Sequence, residues 1–152
     1  MEPRIIDIDA YLPVVQELLS QGQTVSLTVT GESMSPFLRH GRDQIRLAAV
    51  TAPPRRGDMV FFRRRTGQYI MHRVLRRMPD GNYAIVGDGQ QQVEAPIAPE
   101  QIFAVVTQVC RKGVWIGPES FWWRFFAGPW LTLLPLRPAL RRLAQLIPET
   151  LK

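Results

Sequence analysis

The sequence is poor in cysteine, histidine and lysine, and these shortages exclude several kinds of site. Cys110 is the only cysteine in the 152 residues, so the chain can form no internal disulfide. It lies in an apolar, strand-like run, which predicts a core residue rather than a nucleophile. Two histidines and one cysteine offer no metal-ligand spacing, and the sequence predicts neither a metal nor another cofactor.

Long apolar segments are also lacking. An uncharged and mostly apolar stretch, residues 125–136, contains Gly128, Pro129 and Pro135, whereas a membrane-spanning helix needs about 20 apolar residues. Residues 1–9 are charged and lack the apolar region of a secretory signal peptide. These features predict a cytoplasmic protein without a transmembrane helix, with peripheral contact at the inner membrane face left open.

Arginine is abundant where lysine is scarce. Only Lys112 and Lys152 among the 19 basic residues are lysines, and the formal net charge is +6. Such a basic surface is either simply solvated or faces an anionic partner, a membrane or a nucleic acid.

Frequent chain breaks favour a β domain. Thirteen prolines and eleven glycines predict short strands joined by turns rather than a helical bundle. A hydrophobic fraction of 45% is enough for one packed domain. Apolar spacing predicts one helix over residues 11–19, ended by Gly22. The predicted strands are residues 25–30, 45–47, 59–62, 69–75, 83–86, 102–109 and 114–116, with hairpin turns at 65–68 and 79–82.

The composition changes near Gly117. Residues 121–126 are dense in aromatic side chains, and a later helix has Leu140, Leu143 and Ile147 on one side. This tail either folds back over an open edge of the β domain or lies in a lipid interface, with Trp at the headgroup level and Arg meeting anionic lipid. The sequence leaves the two interpretations open.

One serine and one histidine carry the chemical hypothesis. Residues 31–36, Gly-Glu-Ser-Met-Ser-Pro, follow an alternating strand and present Ser33 on a turn. A serine hydroxyl needs a neighbouring base, and donors for the oxyanion that forms on attack. His72, in a second strand, is the residue type that takes such a proton near neutral pH. Ser33 alone is better explained as a turn serine, so the hypothesis depends on the wider pattern.

The wider pattern is an ordered series of segments. Gly-Asp-Met-Val-Phe-Phe at residues 57–62 precedes the Met-His-Arg-Val strand of His72, and Ile-Val-Gly-Asp follows at residues 85–88. Over roughly residues 24–106 the chain resembles type I signal peptidases and LexA-like self-cleaving peptidases. Most of these enzymes use a lysine base, but residues 1–111 contain no lysine. The resemblance is therefore to the histidine-type variant.

The resemblance implies a fold and an activity. The fold is a mainly β domain with a coiled, barrel-like antiparallel sheet, an N-terminal helix and C-terminal amphipathic helices. Residues 1–116 would form the catalytic domain, including the N-terminal helix, and residues 117–152 the tail. The activity is that of a serine endopeptidase in which Ser33 attacks a peptide carbonyl, His72 acts as the base, and an acyl-enzyme forms.

The resemblance also implies an acid and an oxyanion hole. A histidine base needs an acid to fix its tautomer, and that acid is Asp88 or Glu94, with the choice left open. Asp88 is nearly as well explained as a turn-forming aspartate. The Ser33 N–H is the predicted first oxyanion donor. Gly31 stands where many signal peptidases carry a serine that supplies the second donor, and Thr30 is an alternative.

The expected partner is a peptide or precursor-protein substrate, such as a small precursor with a leader, bound by strand pairing. A first alternative is a LexA-like regulator, which pairs this type of domain with DNA-binding helices and cuts itself, commonly at Ala-Gly. The only Ala-Gly lies downstream, at residues 127–128. A second alternative is a non-catalytic module that binds peptide, lipid or nucleic acid through arginines such as those at 63–65. No nucleic-acid motif accompanies them, which disfavours nucleic acid.

Overall fold

A computed structural model describes residues 8–148 of the chain. The predicted catalytic domain begins with residues 1–7, and the predicted tail ends with residues 149–152. Both stretches lie outside the described range. The helices are α1 (Ile8–Ser20), α2 (Phe121–Ala127), α3 (Pro129–Thr132) and α4 (Arg137–Gln145), with short 3-10 turns at Pro99–Gln101 and Leu134–Leu136. The strands are β1 (Val25–Thr28), β2 (Gln44–Ala49), β3 (Met59–Arg63), β4 (Tyr69–Arg77), β5 (Tyr83–Val86), β6 (Glu94–Ile97), β7 (Ile102–Arg111) and β8 (Val114–Ile116).

The eight strands form one antiparallel sheet. Their order is β1-β2-β7-β3-β4-β5-β6, and β8 pairs with β7. The long strand β7 joins β1 and β2 to the rest of the sheet, because it pairs with β2 along one edge and with both β3 and β8 along the other. The prediction of a mainly β fold with an N-terminal helix is confirmed, and the sheet is open, with β1 and β6 at its ends.

Most predicted elements are found close to their expected bounds. The hairpin of β3 and β4 turns at residues 64–68, and that of β4 and β5 turns at residues 78–82, as predicted. Strand β6 was missed because it contains Pro96, which cannot donate to a ladder. Its position at the edge of the sheet explains why the proline is tolerated there. Three α-helices follow the sheet, where one or two were expected.

The larger of two hydrophobic cores unites the N-terminal helix, the first strands and the tail. Val15 and Leu19 of α1 pack in it together with Phe37 from the turn after Ser33. Trp123, Phe126 and Trp130 from the tail belong to the same cluster, and the Phe37 and Phe126 rings stack with centroids 4.8 Å apart. The first part of the tail therefore packs against the β domain, as one of the two interpretations predicted. Cys110 is buried, as expected of a core residue.

Other tail side chains face solvent. Phe121 is 70% exposed, and Leu143 and Leu146 of the last helical segment are 60% and 79% exposed. The membrane contact through residues 117–152 stays a prediction. Across residues 8–148 we find no helix with the length and apolar content needed to cross a bilayer.

Candidate active site

Ser33 lies on a turn that is held in place by the buried residues that follow it. The serine is half-buried, and it is followed by Met34, Phe37 and Leu38, which are at most 1% exposed. These three apolar side chains anchor the turn in the larger core and thereby fix the backbone that carries Ser33. The Ser33 carbonyl oxygen accepts a hydrogen bond from the Gly89 N–H at 2.8 Å.

A cavity of about 300 Å³ opens beside Ser33. It is lined by the last residues of β1, by the Ser33 turn, and by residues 69–71 at the start of β4. Strand β1 is a sheet edge, and β4 pairs with β5 only from Arg73 onward, so residues 69–72 also have a free edge. Two strand edges able to pair with an extended peptide thus flank the same cavity.

His72 and the Ser33 backbone both lie against the same side of Gly87. A methyl group at Gly87 would lie 2.5 Å from the Ser33 carbonyl oxygen and 3.1 Å from His72 Cδ2. The ring atom nearest to this position is Cδ2, which is bonded to Nε2. Both residues therefore meet at Gly87, although no hydrogen bond joins Ser33 to His72 in the part of the chain that is described.

The His72 ring is held neutral. Its side chain is 1% exposed, and its Nδ1 makes no hydrogen bond within residues 8–148. Burial disfavours the imidazolium and lowers the pKa of His72 to about 4, while the negative charge of Glu94 opposes the shift. At neutral pH the ring is therefore unprotonated, which is the form that accepts a proton.

The two candidate acids have different environments. Asp88 is fully buried, and Arg73 Nε and Nη2 donate to its two carboxylate oxygens, each at 2.8 Å. Glu94 is half-buried, and one of its oxygens is 3.9 Å from His72 Nδ1. The same carboxylate pairs with Arg64. Of the two acids, Glu94 is the one that faces the base.

The backbone N–H groups around the predicted oxyanion site differ in their hydrogen bonds. The Gly31 N–H donates to His40 Nδ1 at 2.6 Å. The Ser33 N–H donates to no acceptor among the described residues. Ser33 therefore keeps a backbone donor for a developing oxyanion, while the Gly31 donor is occupied in this conformation. Thr30 is exposed beside them and lines the cavity. His40 is exposed in a turn.

Several neighbours of the site were not identified from the sequence. Arg73 was visible as the residue after His72, and strand alternation places the two on opposite faces. Its pairing with Asp88 follows from the β4–β5 hairpin, in which Arg73 is opposite Val86. Arg64 reaches Glu94 across 30 positions of sequence, and Trp130 reaches the Asp88 carbonyl across 42. No local sequence signal marks these two contacts.

The model of a family described as Peptidase S24-like matches residues 2–110. That range contains the Ser33 turn, the His72 strand and both candidate acids. No curated protein matches the chain.

Proposed function

The chain belongs to the Peptidase S24-like family, and from that membership we propose that it is a serine endopeptidase with Ser33 as nucleophile and His72 as general base. The observation that carries the proposal is the meeting of Ser33 and a neutral, buried histidine at Gly87, beside a cavity bordered by free strand edges. A nucleophile, a base and a place for an extended substrate are thus close together.

The proposed reaction proceeds in two halves. Ser33 Oγ attacks the substrate carbonyl carbon while its proton passes to His72 Nε2, and the oxyanion accepts a hydrogen bond from the Ser33 N–H. The C–N bond then breaks, and the imidazolium returns its proton to the leaving amine. Water attacks the acyl-enzyme, His72 takes the proton of this water, and the peptide acid leaves as Ser33 is reprotonated. Substrate binding must bring Ser33 Oγ and His72 into contact, as is common for catalytic hydrogen bonds that are unformed in free enzymes.

Glu94 is the acid that we propose for orienting His72. Its oxygen is on the Nδ1 side of the ring, and Nδ1 has no other partner among the described residues. A shortening of the 3.9 Å separation by about 1 Å would form the Nδ1–H···O bond that fixes the tautomer with Nε2 facing Ser33. Both acids have both oxygens bonded to an arginine, Asp88 to Arg73 and Glu94 to Arg64. What favours Glu94 is its place beside Nδ1, and the complete burial of Asp88 with Arg73 supports a positioning role for Asp88.

The proposed substrate is an extended peptide segment. A strand lying in the cavity would pair with the edges of β1 and β4, and its side chains would alternate between the cavity and solvent. The apolar cavity wall, which includes Leu27, Phe61 and Met71, favours an uncharged side chain next to the bond that is cut.

The experiment is cleavage of a peptide library, read by mass spectrometry, with wild type, Ser33→Ala, His72→Gln and Ser35→Ala. Ser35 is the matched control, because it is a second serine of the same turn. We expect products from wild type and Ser35→Ala, and a loss of at least about 10³-fold in rate for the other two variants. Products that persist in Ser33→Ala would exclude Ser33 as the nucleophile.

The same samples test the LexA-like alternative. A self-cleaving regulator would cut its own chain at a rate independent of protein concentration, and it would leave the peptide library intact. Fragments of the chain that form only when Ser33 is present would favour that alternative over a peptidase acting on other proteins.

A further inference from the structure

The loop of residues 87–90 is held by the tail. Each of its four backbone carbonyl oxygens accepts a hydrogen bond from a side chain of residues 130–141. The bonds run from Arg137 Nη1 to Gly87 O and Gln90 O, each at 2.9 Å, from Trp130 Nε1 to Asp88 O at 2.8 Å, and from Arg141 Nη2 to Gly89 O. A complete set of partners on four consecutive carbonyls fixes the position of this loop.

The opposite side of the same loop touches the nucleophile and the base. The Gly89 N–H donates to the Ser33 carbonyl, and Gly87 borders both Ser33 and His72. The fit is tight, because a methyl group at Gly89 would lie 2.9 Å from the Glu32 carbonyl oxygen and 2.7 Å from that of Ser35. A displacement of the loop would therefore displace the backbone of the Ser33 turn.

The main donor is a buried cation that pairs with no carboxylate of residues 8–148. Arg137 is 1% exposed, and its guanidinium lies 5.1 Å from the centre of the Trp130 ring. Burial lowers the pKa of Arg137, and the nearby charge of Asp88 opposes this. Its guanidinium donates to three carbonyl oxygens, those of Gly87, Gln90 and Trp130. A cation with these acceptors fixes the backbone geometry around it.

We infer that Trp130, Arg137 and Arg141 form a clamp that positions the Ser33 turn against His72 through the loop of residues 87–90. The clamp lies outside residues 2–110, the range matched by the family model. The inference rests on the proposed peptidase function for its effect on catalysis. Trp130, Arg137 and Arg141 are positioning residues, since they act through the loop and reach neither Ser33 nor His72.

The clamp should affect turnover more than substrate binding. The cavity is lined by residues of β1 to β4 and by the Ser33 turn, and no tail residue up to position 148 lines it. Loss of a clamp bond would loosen the Gly89–Ser33 contact and misplace the nucleophile, and small misplacements of reacting groups cost up to about 10²-fold in rate. We expect kcat to fall about tenfold and KM to stay unchanged.

The test compares Trp130→Phe, Arg137→Met and Arg137→Lys with a matched control, Arg142→Met. Trp130→Phe removes one donor and keeps the aromatic ring. Arg137→Lys keeps one nitrogen, and a single nitrogen of Arg137 makes both loop bonds. Arg142 is exposed on the same helix and donates no bond to the loop in the described chain. Two readouts are measured: amide hydrogen exchange of residues 84–92, and the pH-dependent rate at which a fluorophosphonate labels Ser33.

The expected result is faster exchange and about tenfold slower labelling in Arg137→Met and Trp130→Phe, partial recovery in Arg137→Lys, and wild-type behaviour in Arg142→Met. Unchanged exchange in Trp130→Phe would overturn the clamp, whether or not Arg137→Met folds. Faster exchange with an unchanged labelling rate would overturn its positioning role. If Ser33 of the wild type is not labelled at all, the proposed function fails, and the exchange data still decide whether the loop is clamped.

Discussion

His72 and Arg73 are neighbours in β4, and each faces an acid from the segment that follows β5, but the two pairs differ in almost every respect. Arg73 and Asp88 are completely buried and share two hydrogen bonds of 2.8 Å. His72 and Glu94 are 3.9 Å apart, Glu94 is 25% exposed, and Nδ1 has no hydrogen bond within the described residues. We call these the closed pair and the open pair.

The difference fits a structural use of the closed pair and the chemical use that we propose for the open pair. In the closed pair, the third guanidinium nitrogen of Arg73, Nη1, donates to the Gly57 carbonyl oxygen at 2.8 Å. All three nitrogens of Arg73 are therefore already bonded within the fold. In the open pair, the Glu94 oxygens accept from Arg64, but Nδ1 of the neutral His72 ring has no hydrogen-bond partner among the described residues. A proton can therefore be taken up there without breaking a bond that holds the fold.

The largest expected effect comes from breaking the closed pair. Arg73→Met leaves the Asp88 carboxylate buried without its partner, and such a change lowers the free energy of unfolding by about 3–5 kcal/mol. Urea denaturation measures it. Arg73→Met combined with Asp88→Leu should recover part of the loss, since apolar replacement of a whole buried pair is often close to neutral. A cost below about 1 kcal/mol for Arg73→Met alone would show that the pair is not what holds this region.

The next effect is a pH dependence of stability, and it comes from the buried His72 ring of the open pair. The pKa of His72 is about 4 in the folded protein and about 6.5 in an unfolded chain. Above pH 6.5 both states are neutral and His72 contributes no pH dependence. Between pH 6.5 and 4 only the unfolded chain takes up the proton, so stability falls with decreasing pH, by about 3 kcal/mol in total.

Urea denaturation at several pH values tests this, with His72→Gln as the comparison. The variant should lack the part of the fall that begins at pH 6.5. Parallel stability curves for wild type and His72→Gln over this pH range would mean that the ring is not held neutral by the fold.

A third effect, about 10²-fold in kcat, should distinguish the two acids. Glu94→Gln removes the charge that faces Nδ1, and general acid–base assistance is worth about 10²–10⁴-fold. We expect it to lower kcat and to leave the melting temperature nearly unchanged. Asp88→Asn should instead lower stability, with kcat of the folded fraction reduced less. The reverse assignment of the two effects would make Asp88 the acid that orients His72.

The sequence predicts much of this site but could not choose between the acids. The order of the segments singled out Ser33, His72, Asp88 and Glu94 as candidates, and their roles stay predictions. Alternation and turn residues predicted seven of the eight strands described. Glu94 reaches His72 through β6, where Ile85 is opposite Glu94 after a register shift. Such irregular pairing is set by packing and by Pro96, and residue spacing does not reveal it. The contacts of Trp130 and Arg137 with the loop also depend on how the tail packs, which periodicity does not determine.

The smallest expected effect concerns Arg64, the partly solvated arginine that binds Glu94 of the open pair. The positive charge of Arg64 lowers the pKa of His72, and Arg64 also binds the Glu94 carboxylate. Arg64→Met should therefore raise the pKa of His72. The acid limb of kcat/KM, near pH 4 in wild type, should move toward 6.5 by less than about one unit. Stability should change by less than about 1 kcal/mol, since the ion pair is partly solvated.

Arg65→Met is the matched control for this last change, because it removes the same charge from an exposed neighbour in the β3–β4 turn. An equal shift in both variants would reflect the general charge of the surface rather than the Arg64–Glu94 pair. An acid limb that stays in place in Arg64→Met would mean that the charge of Arg64 does not act on His72. A shift confined to Arg64→Met would show that the arginine bound to Glu94, and not the general charge of the surface, lowers the pKa of His72.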